Sequence, residues 1–277
     1  MSLMSKLLMS TVVVTVALSA NAQPDNKQLV NYIKKNIVKN PQVIVNGVTV
    51  IESKTNKDLP GWNILLTTMD LKFQKKEIHA PETMFIKDGF ITGHLVNLKT
   101  GEDYRDNIKP TVKDSYYDDK HLLFGNKDAK HKIIIFSDPQ CPFCKDTVPG
   151  IFKAAKENPT KIAIYYYHLP LLRIHPVSDV LTRVMHVAQE EGNNDLSEKI
   201  YSLKIKPQET NATKILEAVK KHTGYSTTVE KIDKKEVKDA LKADTDMAGK
   251  MMVSGTPTIY IDGELDKKRD GYKKLIK

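Results

Sequence analysis

The stretch SDPQCPFCK, residues 137–145, contains both cysteines of the 277-residue chain. Cys141 and Cys144 can form only one intramolecular disulfide, which closes across two intervening residues. So small a loop restrains the unfolded chain little, and a purely structural bridge is a poor explanation for it. A zinc site would need two further ligands, yet the eight histidines show no paired spacing, and covalent haem attachment would need a histidine at Lys145. These residues predict a redox-active dithiol with no metal and no other cofactor.

Apolar residues precede the two cysteines and a helical pattern follows them. Residues 132–136, KIIIF, are a short β-branched run that predicts a buried strand. Cys141 then lies at the first turn of a helix, where free backbone N–H groups and the helix dipole stabilise a thiolate. Cys144 lies one turn deeper on the same face. We therefore expect Cys141 to attack and Cys144 to resolve, while Pro142 and Phe143 adjust the stability of the thiolate.

The sequence after this helix predicts a further strand, several helices and a last strand. Residues 161–167, KIAIYYY, predict a second strand, and the strand, helix, strand order predicts a right-handed parallel unit. Four helical patterns follow within residues 171–250, which we interpret as a helical insertion. Residues 253–263, VSGTPTIYIDG, predict a proline that enters a strand and an Asp-Gly turn that ends it. The Asn211 side chain, in ETNAT, is interpreted as a helix cap rather than a glycosylation acceptor.

The first 22 residues have the features of a signal peptide. Lys6 supplies the positive charge, residues 7–18 are mostly apolar, and residues 20–22, ANA, form a small-x-small cleavage site. A dozen apolar residues are too few to span a bilayer, which needs about 20. The sequence therefore predicts export to a compartment in which disulfides can form.

The composition is that of a globular, moderately basic protein. Lys and Arg number 43 against 34 Asp and Glu, which gives a net charge of +9. The basic residues are scattered among acidic ones, and no basic motif interleaved with aromatic residues occurs. We therefore expect a solvated basic surface and no nucleic-acid partner. The length predicts two domains.

Residues 23–104 predict a small α+β domain. Residues 25–39 have the period of an amphipathic helix. An Asn-Gly pair at 46–47 and an Asp-Gly pair at 88–89 each separate two apolar runs, which predicts two hairpins. Residues 105–120 are polar and charged, and we predict that they form a linker helix.

Together these motifs resemble the thioredoxin superfamily and, within it, the DsbC/DsbG-like periplasmic thiol-disulfide oxidoreductases. The resemblance rests on the apolar strand that leads to Cys-Pro-Phe-Cys and on GTPT, residues 255–258, with helices inserted between them. It implies an α/β, thioredoxin-like catalytic domain of residues 121–277 with the helical insertion at about 171–250. It also implies that residues 23–104 are a dimerisation domain and that the protein is periplasmic.

The resemblance implies roles for single residues. Cys141 is the nucleophile, Cys144 resolves the mixed disulfide, and Pro257 is a cis-proline that faces the sulfurs. The backbone of Thr256 can then pair with an extended substrate as an added strand. The predicted substrate-binding residues are Thr256, Pro142 and Phe143.

One position departs from the family pattern. Many thioredoxin-like proteins have a buried acid six residues before the first cysteine, whereas this chain has Ile135. Proton acceptance must then fall to water, to Asp138 or to another group.

The resemblance implies protein thiol-disulfide interchange, with cysteine-containing protein substrates, a membrane redox partner and a homodimeric state. Thr256 before the proline resembles the isomerase branch, so we expect an isomerase or reductase. The sequence leaves three alternatives open: a dimeric DsbA-like thiol oxidase, a non-catalytic periplasmic holdase, and a copper-handling protein that uses the dithiol as a soft ligand pair.

Overall fold

Two β-sheets organise the structure, a computed structural model that describes residues 24–276. The predicted signal peptide, residues 1–22, lies outside the described residues. The first sheet is antiparallel and has the order β1-β2-β3-β4. Its elements are α1 (Asn26–Tyr32), a π-helical turn (Ile33–Ile37), β1 (Val43–Lys54), β2 (Asn63–Phe73), β3 (Lys76–Lys87) and β4 (Phe90–Thr92).

The central strand β2 of the first sheet is buried on both faces. Side chains of β2 alternate between two apolar clusters, as the two-residue period of a strand requires. Leu65 packs with Leu29 and Ile33 of the N-terminal helical segment, whereas Ile64 and Leu66 face a second cluster on the opposite side. The apolar side chains on the second face of this sheet must therefore also pack against other residues.

The predicted hairpin at residues 46–47 is wrong. Strand β1 continues through both residues, and its register with β2 shifts between Val45 and Gly47, which is a β-bulge. The β-branched residues on both sides pair with the same neighbouring strand, and a long continuous strand satisfies more backbone hydrogen bonds than a turn. By contrast, Asp88 and Gly89 do form the hairpin between β3 and β4, with φ of 49° and 80°.

The predicted linker helix over residues 105–120 is also wrong. Only a short helix, α2 (Tyr104–Asn107), and one 3-10 turn (Asp114–Tyr116) form there. Pro110 has no N–H to donate, and it disfavours the helical conformation at the residue before it. The segment instead runs extended, and Ile108 is buried in the second cluster of the N-terminal unit.

The second sheet has five strands in the order β5-β7-β6-β8-β9. Its strands are β5 (Leu122–Phe124), β6 (His131–Ser137), β7 (Ile162–His168), β8 (Thr258–Ile261) and β9 (Glu264–Leu265). Strands β6 and β7 are parallel, as the sequence predicts, and the helix α3 (Pro142–Glu157) connects them. Strand β8 is antiparallel to β6.

The helical insertion lies between β7 and β8. It comprises α4 (Ser178–Glu190), α5 (Asp195–Tyr201), α6 (Ala212–Thr223), the additional short α7 (Val229–Ile232) and α8 (Lys235–Lys250). The four predicted patterns correspond to α4, α5, α6 and α8. Asn211 caps α6, because its side chain accepts a hydrogen bond from the Lys214 N–H at 3.0 Å. None of the helices in residues 24–276 combines the length and the apolar character needed to cross a membrane.

Met252 joins the two units. It follows α8 directly, adopts a left-handed conformation with φ of 51°, and is 6% exposed. Its side chain belongs to the second apolar cluster of the N-terminal unit, together with Phe85. The Lys109 ammonium donates to the Met252 carbonyl at 3.4 Å, and burial lowers the pKa of Lys109. The loop before Pro257 is therefore packed against the N-terminal sheet.

Candidate active site

The two cysteines lie where β6 ends and α3 begins. Cys141 is the N-cap of α3, and Pro142 occupies the first helical position, where a missing N–H is of no consequence. Both cysteines are free thiols. Cys141 is 5% exposed and Cys144 is fully buried, so the more accessible sulfur is the one that the sequence predicts to attack.

The buried sulfur of Cys144 is held as a thiol. Burial raises its pKa to about 12, although the nearby polar groups of Ser137, Thr256 and Asp138 act in the opposite direction. The charge of the neighbouring Cys141 raises the pKa further. Cys144 therefore stays protonated at neutral pH.

The loop before β8 contacts the start of α3. The Thr256–Pro257 peptide bond is cis, and the Cys141 thiol donates a hydrogen bond to the Thr256 carbonyl at 3.4 Å. The structure thus brings together the predicted nucleophile and the residue that we predict to pair with substrate. Pro257 also lines a groove of about 280 Å³ beside Ser254 and Arg269.

The two residues between the cysteines face outward. Pro142 and Phe143 are exposed, and the Phe143 ring is 65% exposed. The Arg269 guanidinium lies 5.9 Å from the centre of this ring, within cation–π range. The Phe143 ring therefore presents an exposed apolar surface beside Cys141.

Asp138 is a structural anchor rather than a free proton acceptor. Its fully buried carboxylate accepts hydrogen bonds from the Gln140 N–H at 2.7 Å and the Ser178 hydroxyl at 2.6 Å. It also accepts from the Leu171 N–H at 2.8 Å, and it contacts the His175 ring at 3.0 Å. These contacts tie the turn before Cys141 to the helical insertion. Their partners lie far along the chain, so no sequence spacing indicates them.

No cluster of potential metal ligands is present in the part of the chain that the structure describes. Within residues 24–276, no group of three or more His, Cys, Asp or Glu side chains has an arrangement that could hold a metal ion. The Cys141 thiol donates to the Thr256 carbonyl.

Comparison with known proteins assigns the family. Residues 118–277, more than half of the chain, match the family described as Thioredoxin. The chain belongs to the Thioredoxin family. The match covers the second sheet and the helical insertion, and it confirms the predicted thioredoxin-like α/β fold. The DsbC/DsbG subtype stays a prediction.

Individual relatives of this Thioredoxin family member are distant. The probable disulfide bond formation protein D of Bacillus anthracis is 25% identical over 162 residues, which are 55% of this chain and 75% of that protein. The crystal structure of oxidised BdbD from Bacillus subtilis is 20% identical and covers 61% of this chain and 94% of its own, with a TM-score of 0.48. ScsC from Proteus mirabilis, in a transitional conformation, is 21% identical and covers 59% and 74%, with a TM-score of 0.47.

Proposed function

We propose that this protein is a thiol-disulfide oxidoreductase of the Dsb type that acts on cysteine-containing proteins in the periplasm. The observation that carries the proposal is the pair of free thiols at the start of α3. Cys141 is the more accessible sulfur and contacts the Thr256 carbonyl, while Cys144 is buried one turn behind it. The name of the Bacillus anthracis relative, a probable disulfide bond formation protein, supports the same chemistry.

The reaction proceeds through a mixed disulfide. The Cys141 thiolate attacks one sulfur of a substrate disulfide, the substrate S–S bond breaks, and the second substrate sulfur leaves with the electron pair and takes a proton. Either Cys144 or another substrate thiolate then attacks the mixed disulfide. Attack by Cys144 reduces the substrate and leaves the enzyme oxidised, whereas attack by a substrate thiolate isomerises the substrate and returns the enzyme to its starting state.

Substrate recognition uses the groups around the sulfurs. The backbone of Thr256 can pair with an extended chain as an added strand, which gives affinity without demanding a particular sequence. Phe143 and Pro142, both exposed, offer apolar contact beside the attacking sulfur. Together, the Thr256 backbone and these two side chains favour binding to many different proteins.

We further propose that the protein works as a homodimer and mainly as an isomerase or reductase, kept reduced by a membrane redox partner. The N-terminal unit, residues 23–104, carries the dimer contact in this proposal. Exposed apolar side chains on its strands support this role: Ile44, Val50, Ile78 and Phe90. A dimer would hold two active sites towards one cleft, which suits the capture of misfolded chains.

The decisive experiment combines an assay with thiol trapping. Purified protein should reduce insulin and reactivate scrambled ribonuclease, and Cys141→Ser should abolish both activities. Acid quench and alkylation in whole cells should find Cys141 and Cys144 mainly as free thiols. If the cellular pair is mainly a disulfide, the dimeric oxidase replaces the isomerase. If the double Cys→Ser variant still suppresses aggregation at the wild-type level and no exchange activity is found, the holdase replaces both.

A further inference from the structure

Arg269 lies at the rim of the candidate active site. Its guanidinium is 5.9 Å from the centre of the Phe143 ring, and Phe143 lies between the two cysteines in sequence. Arg269 also lines the groove of about 280 Å³ that Pro257 lines. The half-buried Arg269 side chain therefore borders both the exposed ring and the groove at the cis-proline.

A short turn after β9 fixes the backbone from which the Arg269 side chain extends. The φ angle of Arg269 is 60°, a left-handed conformation that residues other than glycine seldom adopt. The Asp266 carboxylate stabilises this turn, because its Oδ1 accepts from the Arg269 N–H at 3.1 Å and its Oδ2 accepts from the Gly271 N–H at 2.8 Å. Both oxygens of this groove-lining carboxylate are thus used by backbone groups.

The charge of Arg269 is unpaired in the part of the chain that the structure describes. Within residues 24–276, no carboxylate forms an ion pair with its guanidinium, whose one close contact is the Phe143 ring. Other charged side chains of the groove are compensated. Lys267 pairs with Glu102 at 2.7 Å, and Asp106 and Lys109 both line the groove with opposite charges. The guanidinium donors of Arg269 are therefore open to an acceptor from outside the protein.

The sequence around Arg269 is basic. Residues 266–274, DKKRDGYKK, contain five Lys or Arg and two Asp, and the net charge of +9 for the whole chain has the same sign. A positive potential beside an active site attracts acidic segments and repels basic ones. The surroundings of Arg269 therefore favour the same kind of substrate as its own charge.

We propose that Arg269 makes the active site prefer protein substrates that have an acidic side chain next to the reacting cysteine. The proposal rests on the proposed disulfide exchange and names the substrates that it favours. A substrate chain held on the Thr256 backbone and against Phe143 brings such a carboxylate to the guanidinium. The planar guanidinium matches the two oxygens of a carboxylate, and its contact with the aromatic ring orients it before the substrate arrives. Arg269 is thus a specificity-determining residue.

Symmetric peptide disulfides test this preference. Each peptide has one cysteine with the same residue on both sides, Glu, Gln or Lys, and is supplied as its disulfide-linked dimer. Cys141 of the reduced protein attacks one peptide sulfur and releases the first peptide thiolate. Cys144 then displaces the second, so that one enzyme disulfide forms and both peptide sulfurs take a proton from solvent. Acid quench and reverse-phase chromatography measure the free peptide, and the rate with dithiothreitol corrects for the intrinsic reactivity of each peptide.

The expected result is a ratio of corrected rate constants. For wild type, the second-order rate constant should be about three- to tenfold higher for the Glu peptide than for the Lys peptide, with the Gln peptide between them. In Arg269→Gln this ratio should fall close to one. Arg269→Lys should keep part of the preference, because it retains the charge but loses the planar fork.

The neighbouring residue offers a matched control. Lys268 is exposed and does not line the groove, so Lys268→Gln removes the same charge one residue away. Its Glu-to-Lys ratio should equal that of wild type. Salt gives a second measurement that needs no variant. Raising sodium chloride from about 0.05 M to about 0.5 M should lower the ratio in wild type, because salt screens charges.

The outcomes separate this proposal from the proposed function. A wild-type protein that reduces all three peptides at equal corrected rates overturns the preference, and so does a ratio that Arg269→Gln leaves unchanged. An equal fall in Lys268→Gln and Arg269→Gln also contradicts it, because the basic stretch as a whole would then set the ratio. Should Arg269→Gln not fold, a wild-type ratio that salt does not lower overturns the proposal. A wild-type protein that reduces none of the peptides overturns the proposed function instead.

Discussion

Cys141 and Cys144 are one helical turn apart, yet their surroundings give them different reactivity. Because burial raises the pKa of Cys144 to about 12, this sulfur stays protonated at mildly acidic pH. We expect iodoacetamide to label Cys141 first in the reduced protein, as measured by peptide mass spectrometry. Cys141→Ser should react slowly, and Cys144→Ser should react as fast as wild type. Preferential labelling of Cys144 would reverse the two roles.

Asp138 carries a prediction about stability. Its carboxylate accepts from two backbone N–H groups and a hydroxyl, and an asparagine there would turn one acceptor atom into a donor that faces other donors. Asp138→Asn should lower the free energy of unfolding by about 2 kcal/mol or more, because buried donors lose their partner. Urea denaturation measures this. Asp146→Asn, at an exposed position of α3, is the control and should have little effect.

At the level of elements, His121 connects three parts of the catalytic unit. Its ring bridges Asp118, just before β5, and the buried Asp244 of α8, and it stacks on Tyr167 of β7. Burial lowers the pKa of His121, but the hydrogen bonds and charges of the two aspartates outweigh it and the pKa is raised. The His121 ring therefore links α8 to the sheet through these contacts.

The sign of this shift predicts how stability depends on pH. The contribution of His121 is fully present below the unfolded-state pKa of about 6.5 and is lost as the pH rises through the higher folded-state value. Compared with wild type, His121→Gln should lose less stability in urea titrations as the pH rises above the unfolded-state pKa of about 6.5. The exposed His79, which pairs with Asp70 alone, provides the control variant His79→Gln. Parallel curves for His121→Gln and wild type would contradict the assignment.

The elements themselves show what the sequence can predict. Strands β6 and β7 and the larger insertion helices follow from hydrophobic periodicity, and the Asp-Gly turn follows from the left-handed φ that both of its residues adopt. The bulge at residues 46–47 does not follow, because an Asn-Gly pair suits a turn and a bulge alike and only the pairing strand decides between them. The contacts of Asp138 with Leu171 and Ser178 join residues far apart in sequence, so no spacing indicates them.

At the scale of the whole molecule, the assembly prediction concerns the N-terminal unit. A fragment that starts near Lys120 keeps the second sheet and the cysteines. We expect this fragment to be monomeric with an intact redox couple and the full chain to be dimeric. Analytical ultracentrifugation measures this. Because the fragment exposes Met252, which the N-terminal unit normally covers, Met252→Ser should be added to prevent non-specific association. A dimeric fragment would place the contact elsewhere.

The position of Met252 affects the order in which the two units of the protein fold. The second apolar cluster of the N-terminal unit, with Phe85 and Ile64 at its centre, contains one side chain that is synthesised only near the end of the chain. An early nascent chain that stops before residue 252 therefore lacks part of its own interior, and removal of a buried methionine side chain costs about 2–5 kcal/mol. We expect a fragment of residues 23–117 to be cleaved readily by thermolysin and the full chain to melt in a single calorimetric transition. The unit that is synthesised first would thus reach its protease-resistant form only after the unit that carries the cysteines has been synthesised.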